Sequence, residues 1–126
     1  MICPACRKDM IIIEVDKVEI DYCPICEGTW LDEGELELLM NTPGSENSPI
    51  IRALASENPA KTKDRRPCPA CDRKMWRVDL PTTPAIEIDR CPAMHGLWFD
   101  KGELQDVLKA SGSDDGLAKT LKSIFG

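Results

Sequence analysis

Seven cysteines and a single histidine are the side chains of this sequence best suited to chemistry. Cys3-Pro4-Ala5-Cys6 and Cys23-Pro24-Ile25-Cys26 are two CxxC turns with 16 residues between them. Each turn offers two thiolates from one tight loop whose backbone N–H groups can point at sulfur. Two such turns supply the four soft donors that zinc takes at tetrahedral corners. A lone CxxC is weak evidence, and the alternatives for each Cys are a small buried hydrophobe or a redox dithiol. The redox role calls for a βαβ setting, which this sequence lacks.

A second set departs from the first. Cys68 and Cys71 form one CxxC turn and Cys91 opens another, but the position matching Cys26 holds Met94, whose thioether is a poor zinc ligand. The next residue is His95, four positions after Cys91. Its longer imidazole can absorb a shift of one residue. Cys3, Cys6, Cys23 and Cys26 then form a first zinc set, and Cys68, Cys71, Cys91 and His95 a second. Two complete sets of four leave no position open for water or substrate, so the expected zinc, two ions per chain, is structural and no catalytic residue is expected. An all-sulfur set of the first kind also holds iron in rubredoxin-type proteins.

The elements that must bring these turns together repeat along the chain. Residues 2–10 match 67–75, and residues 19–36 match 87–104; from Cys23 to Leu36 against Cys91 to Leu104, 8 of 14 positions are identical. In the first copy the β-branched run Met10 to Glu14, a turn at Val15-Asp16-Lys17, and Val18 to Tyr22 predict a β-hairpin between the Cys pairs. In the second, Met75 to Val78 and Ala85 to Asp89 play these parts around a longer turn containing Pro81 and Pro84. Trp30 and Leu31 are expected to open a helix with Asp32 as N-cap and Glu35 at N3, and Leu31 and Leu36 as a hydrophobic staple. Phe99, Asp100, Glu103 and Leu104 repeat the pattern. Gly28 and Gly96 are read as residues of positive φ closing the second turn, and Gly34 and Gly102 as sites of close backbone packing. Trp30 and Trp98 are read as indoles covering the metal-bound hairpin. Trp76, among Arg73, Lys74 and Arg77, is read as exposed and open to a partner.

The expected organisation is therefore residues 1–42 and 67–111 as two metal-stabilised modules, each a β-hairpin between knuckles followed by a short α-helix. Residues 43–66 form a linker, in which Ser48 as N-cap, Pro49 at N1, and Ile50, Ile51 and Leu54 at helical spacing suggest a short helix at 49–57 packed on one of the modules. Residues 112–126 form a C-terminal amphipathic helix with Leu117, Leu121, Ile124 and Phe125 on one face, suited to intramolecular docking or to contact with another chain.

These motifs resemble the transcription-factor-IIB-type zinc ribbon domains of prokaryotic proteins, whose pattern is CPxC, a hairpin, then CPxCxGxWLDxGEL. Residues 3–40 follow it throughout, and 68–108 follow it except at Met94, His95 and Phe99. The resemblance implies two tandem zinc ribbons, each with a short helix. It brings no common reaction.

Composition narrows the function. The chain has 126 residues, too few for a large core, so a metal staple is in keeping with its size. No run of 18 apolar residues marks a membrane span, and MICPACRKDM lacks the regions of a signal peptide, so a cytoplasmic site is expected. Net charge is −6, and loading seven thiolates with two zinc ions would bring it to about −9. That opposes binding to nucleic acid, although residues 61–77 hold a basic cluster of Lys61, Lys63, Arg65, Arg66, Arg73, Lys74 and Arg77. A non-catalytic module for protein interaction or assembly, with a protein partner or a second copy held by the C-terminal helix, is the expected function. A transcription-associated, nucleic-acid-binding ribbon and a rubredoxin-like metal-handling protein are the alternatives. Lacking a Ser-His-Asp set or phosphate loop, the chain is not expected to be an enzyme.

Overall fold

A computed structural model describes residues 1–40, 48–55, 66–82 and 84–111. Strands β1 (Ile11–Val15) and β2 (Val18–Tyr22) form the first hairpin, with Ile13 opposite Ile20. Its turn is the two residues Asp16 and Lys17, with φ of 48° and 67°. Two left-handed residues give a turn whose twist suits the strands it joins. Val15 thus ends β1 instead of entering the turn. In the second copy β4 (Trp76–Leu80) and β5 (Ile86–Arg90) repeat the hairpin. Thr82 organises its longer turn: its hydroxyl donates to the Pro84 carbonyl (2.8 Å) and accepts from the Ile86 N–H (3.1 Å).

The helix openings expected at Trp30 and Phe99 are strands. Strand β3 (Thr29–Asp32) pairs with β2, and β6 (Gly96–Phe99) pairs with β5. Helices α1 (Glu35–Met40) and α3 (Glu103–Ala110) begin only afterwards. The physical reason is burial on both sides: Trp30, Leu31, Trp98 and Phe99 are all 0% exposed. A strand serves both faces of a sheet at once, and a short apolar run rich in aromatics fits it. Asp32 and Asp100 are not conventional N-caps. The N-cap of α3 is Gly102, in the left-handed region with no side-chain cap. Half of the capping box survives, because the Asp32 N–H donates to Glu35 Oε1 (2.6 Å) and the Asp100 N–H to Glu103 Oε1 (2.7 Å).

The two copies fuse. Strands β3 and β6 pair antiparallel, giving one six-stranded sheet of order β1-β2-β3-β6-β5-β4. Trp30 lies opposite Trp98, its own counterpart, so a pseudo-twofold axis passes through that pair. Helices cover one face: α1 packs on β2 and β3, α3 on β5, and α2 (Pro49–Leu54) on β4. Ser48 accepts from the Ile51 N–H (3.2 Å) at the start of α2, and Ile50 and Leu54 are buried in the core beneath. A smaller second core joins Trp30, Trp98, Met10 and Met75 to Cys3, Cys23, Cys68 and Cys91, so both sets of cysteines share it.

The glycines exchange the roles expected of them. Gly34 and Gly102 take the left-handed conformation, with φ of 87° and 81°. Gly28 and Gly96 do not; each receives the other copy's tryptophan. A Cβ on Gly28 would stand 2.3 Å from Trp98 Cζ2, and one on Gly96 would stand 2.6 Å from Trp30 Cζ2 and 2.2 Å from the Leu31 carbonyl oxygen. Only a residue without a side chain fits either notch.

Candidate metal centres

Each knuckle is built by its backbone. In the first, the Cys3 N–H donates to the Lys8 carbonyl (2.7 Å) and the Arg7 N–H to the Cys3 carbonyl (3.0 Å), with Arg7 at φ 62°. The knuckles at Cys23 and Cys68 repeat these bonds, with Glu27 and Asp72 as the left-handed residues. The knuckle at Cys91 differs in one respect. The left-handed residue is Met94, one position earlier, and its N–H turns back to the Cys91 carbonyl (3.0 Å). The loop still closes at the same length, from the Cys91 N–H to the Gly96 carbonyl (3.1 Å). Moving the left-handed residue back by one moves the inward-facing side chain forward by one, from the Cys26 position to that of His95.

Two groups of donors result: Cys3, Cys6, Cys23 and Cys26, and Cys68, Cys71, Cys91 and His95. Within each, the donor atoms all lie within 4.8 Å of one another. Met94 belongs to neither and is 42% exposed. In the first group Cys3 and Cys26 Sγ are 3.6 Å apart and Cys6 and Cys23 Sγ 3.3 Å; in the second Cys71 and Cys91 Sγ are 3.6 Å apart and Cys91 Sγ lies 3.4 Å from His95 Nδ1. Zinc–sulfur bonds of about 2.3 Å give tetrahedral S···S edges of about 3.8 Å, and a zinc–nitrogen bond of about 2.0 Å gives an S···N edge of about 3.5 Å. The donors therefore fit zinc in number, chemistry and spacing.

The electrostatics point the same way. Burial pushes the Cys3 and Cys68 thiols up to about 12. The Arg73 N–H brings Cys71 down to about 7. At Cys23 burial acts upward, but the Cys26 and Ile25 N–H groups and the Cys6 side chain bring it down to about 7. Buried thiols that resist ionisation beside others that ionise readily are a poor arrangement alone, and a divalent cation between them offsets the cost. Backbone donors already face sulfur: the N–H of Cys6 lies 3.4 Å from Cys3 Sγ, that of Cys26 3.5 Å from Cys23 Sγ, and those of Ala70 and Ala93 3.3 Å from Cys68 and Cys91 Sγ.

The tryptophans tie these centres to the sheet. Trp30 Nε1–H donates to Asp32 Oδ1 (2.9 Å) and Trp98 Nε1–H to Asp100 Oδ1 (3.1 Å), so the repeated Trp-x-Asp spacing holds each indole against the opposite copy's glycine. That spacing was visible in the sequence, but which knuckle the indole served was not. Trp76 is half-buried, not exposed, because the Arg90 guanidinium lies over its ring at 5.1 Å. Of the basic cluster, Arg66 pairs with Asp100 and Arg77 with Glu87 (3.0 Å). Lys61, Lys63 and Arg65 lie outside the described residues, as does the expected C-terminal helix. No helix among the described residues is long and apolar enough to cross a membrane.

A family model described as a transcription factor zinc-finger matches residues 2–42 and again 67–110. No curated protein and no solved structure matches the chain.

Proposed function

Because the chain belongs to the TFIIB-type zinc ribbon family of transcription factor zinc-fingers, in two tandem copies, we propose that it holds two zinc ions for structure and works by contact with another protein. Four protein donors at each centre leave no position for a substrate.

The observation that carries the reading is an asymmetry between the copies. Ile12, Ile25 and Leu38 of the first are 67%, 64% and 63% exposed. Their counterparts in the second are Arg77, Ala93 and Asp106. The second copy adopts the same fold with charged or small residues at these positions, so folding does not require the apolar ones. Exposed apolar side chains that folding does not need support contact with a partner.

The test exploits that internal control. Ile12→Arg, Ile25→Ala and Leu38→Asp together give the first copy the residues of the second. The triple variant should keep its metal and circular dichroism while losing the chain that co-purifies with the wild type. Unchanged co-purification would refute a role for these three side chains. Duplex DNA binding that is tight and weakens steeply with salt would favour the nucleic-acid reading instead, though ion pairing of Arg66 and Arg77 leaves fewer cations for phosphate. Visible absorption of the protein as isolated would mark iron at the four-cysteine centre.

A further inference from the structure

A cleft opens where three parts of the chain meet. Arg90 and Leu97, paired across β5 and β6, line it together with Glu33 and Glu37 from the start of α1 and Ile51 and Leu54 from α2. The Glu33 N–H donates to the His95 carbonyl (3.0 Å), which fastens the first copy's side of the cleft to the second copy's knuckle. Its volume is about 270 Å³. Sites for small molecules and cofactors run from about 300 to 1,000 Å³, so this one suits a side chain or two.

Its polar groups are not satisfied by the fold. Arg90 is 3% exposed; one N–H donates to the Leu54 carbonyl and the guanidinium lies over Trp76, but Nε has no acceptor among the described residues. Burying a guanidinium with a hydrogen bond unmade is costly. The architecture does not demand it, because the matching position of the first copy is Tyr22, a neutral side chain that is also 3% exposed.

The other lining residues differ between the copies in the same way. Glu33, Glu37 and Leu97 correspond to Lys101, Gln105 and Thr29. Lys101 is held by Glu27 (2.7 Å), whereas Glu33 and Glu37 make no ion pair among the described residues. One side of the pseudo-twofold thus combines an apolar lining, a buried donor and two unpaired carboxylates. Its counterpart residues supply none of these.

We propose that this cleft receives a peptide segment of a protein partner, an apolar side chain flanked by Lys or Arg. The apolar side chain enters beside Ile51, Leu54 and Leu97, a neighbouring backbone carbonyl accepts from the Arg90 guanidinium, and the flanking cation meets Glu33 and Glu37. A free anion would have to pass two carboxylates, and a bare cation would leave the guanidinium unanswered. The proposal rests on the reading that the chain works by protein contact, and adds a site that includes none of Ile12, Ile25 and Leu38.

The test is nuclear magnetic resonance of the zinc-loaded full chain, titrated to millimolar concentration with the capped peptide Gly-Lys-Leu-Lys-Gly and with its acidic twin Gly-Glu-Leu-Glu-Gly. The basic peptide should move the Arg90 Nε–H and the Gly34 and Leu97 amide resonances saturably, and the acidic twin should not. Glu33→Lys with Glu37→Gln, and separately Leu97→Thr, give the cleft the first copy's residues. Each should weaken binding by roughly threefold or more with metal content unchanged, and Arg90→Tyr should abolish it. No movement at these resonances, equal binding of the acidic twin, or surface variants that bind like the wild type would overturn the proposal. None of these results bears on co-purification through Ile12, Ile25 and Leu38, and failure of that co-purification test would leave peptide binding at the cleft to be read directly.

Discussion

Trp30 pairs with Trp98 across the central strands β3 and β6, and the indole of each fills the notch over the other copy's knuckle glycine. The two centres are therefore not beads on a string. The knuckle that presents Cys23 and Cys26 ends at Gly28, against Trp98. The knuckle that presents Cys91 and His95 ends at Gly96, against Trp30. Metal binding, indole packing and strand pairing meet in one small core.

Gly96→Ala should be among the most damaging single substitutions outside the ligands. Its Cβ would meet the Leu31 carbonyl oxygen at 2.2 Å and Trp30, which is 0% exposed and cannot retreat. Overpacking of this kind costs about 1–3 kcal/mol. Thermal unfolding of Gly96→Ala and of Gly28→Ala should show a clear loss in both. Gly102→Ala meets no atom within 4 Å, and its cost comes from φ 81° alone.

Chelation should take the sheet apart in one step. Both cysteine sets line the core that holds Trp30 and Trp98, so loss of either metal unseats the indole belonging to the other copy. Near-ultraviolet circular dichroism, followed as a chelator is added, should fall in a single transition. Two well-separated transitions would show that each copy stands alone.

A pH effect follows from Glu103. Burial, aided by Asp100 and Asp89 against the Asp100 N–H and Arg66, pushes its carboxyl up to about 7 from an ordinary 4.5. Between those values the folded chain keeps a proton that the unfolded chain has lost, so stability from this group falls as pH rises through that window. Above it, a half-buried carboxylate remains as a fixed penalty. Glu103→Gln keeps an oxygen for the Asp100 N–H and removes the charge. Its stability, followed by thermal unfolding, should match the wild type near pH 5 and exceed it near pH 8 by on the order of 1 kcal/mol after solvent screening. Comparing the two proteins at each pH cancels the acid sensitivity of the metal centres, which they share.

The ligand candidates were legible because a knuckle is a local device: CxxC spacing and the displaced His95 are written within a few residues. The hairpins were legible for the same reason, through β-branched runs on either side of Asp16-Lys17. The strands β3 and β6 were not. Asp32-x-x-Glu35 is a genuine helix-start signal, and Glu35 does bond back to Asp32, but the residues before it are claimed by pairing with the other copy. The glycines were misassigned on the same ground. Nothing near Gly28 in sequence says that Trp98 will rest on it. Contacts between copies have no local signature, and here they decide both the sheet and the core.

The most direct test of the account is metal stoichiometry by native mass spectrometry of the zinc-loaded wild type, His95→Ala and Met94→Ala. Neutral imidazole is a good zinc ligand and a thioether a weak one. The donor groups observed here give two zinc ions per chain for the wild type and for Met94→Ala, and fewer for His95→Ala. Two ions retained by His95→Ala together with a loss in Met94→Ala would contradict it.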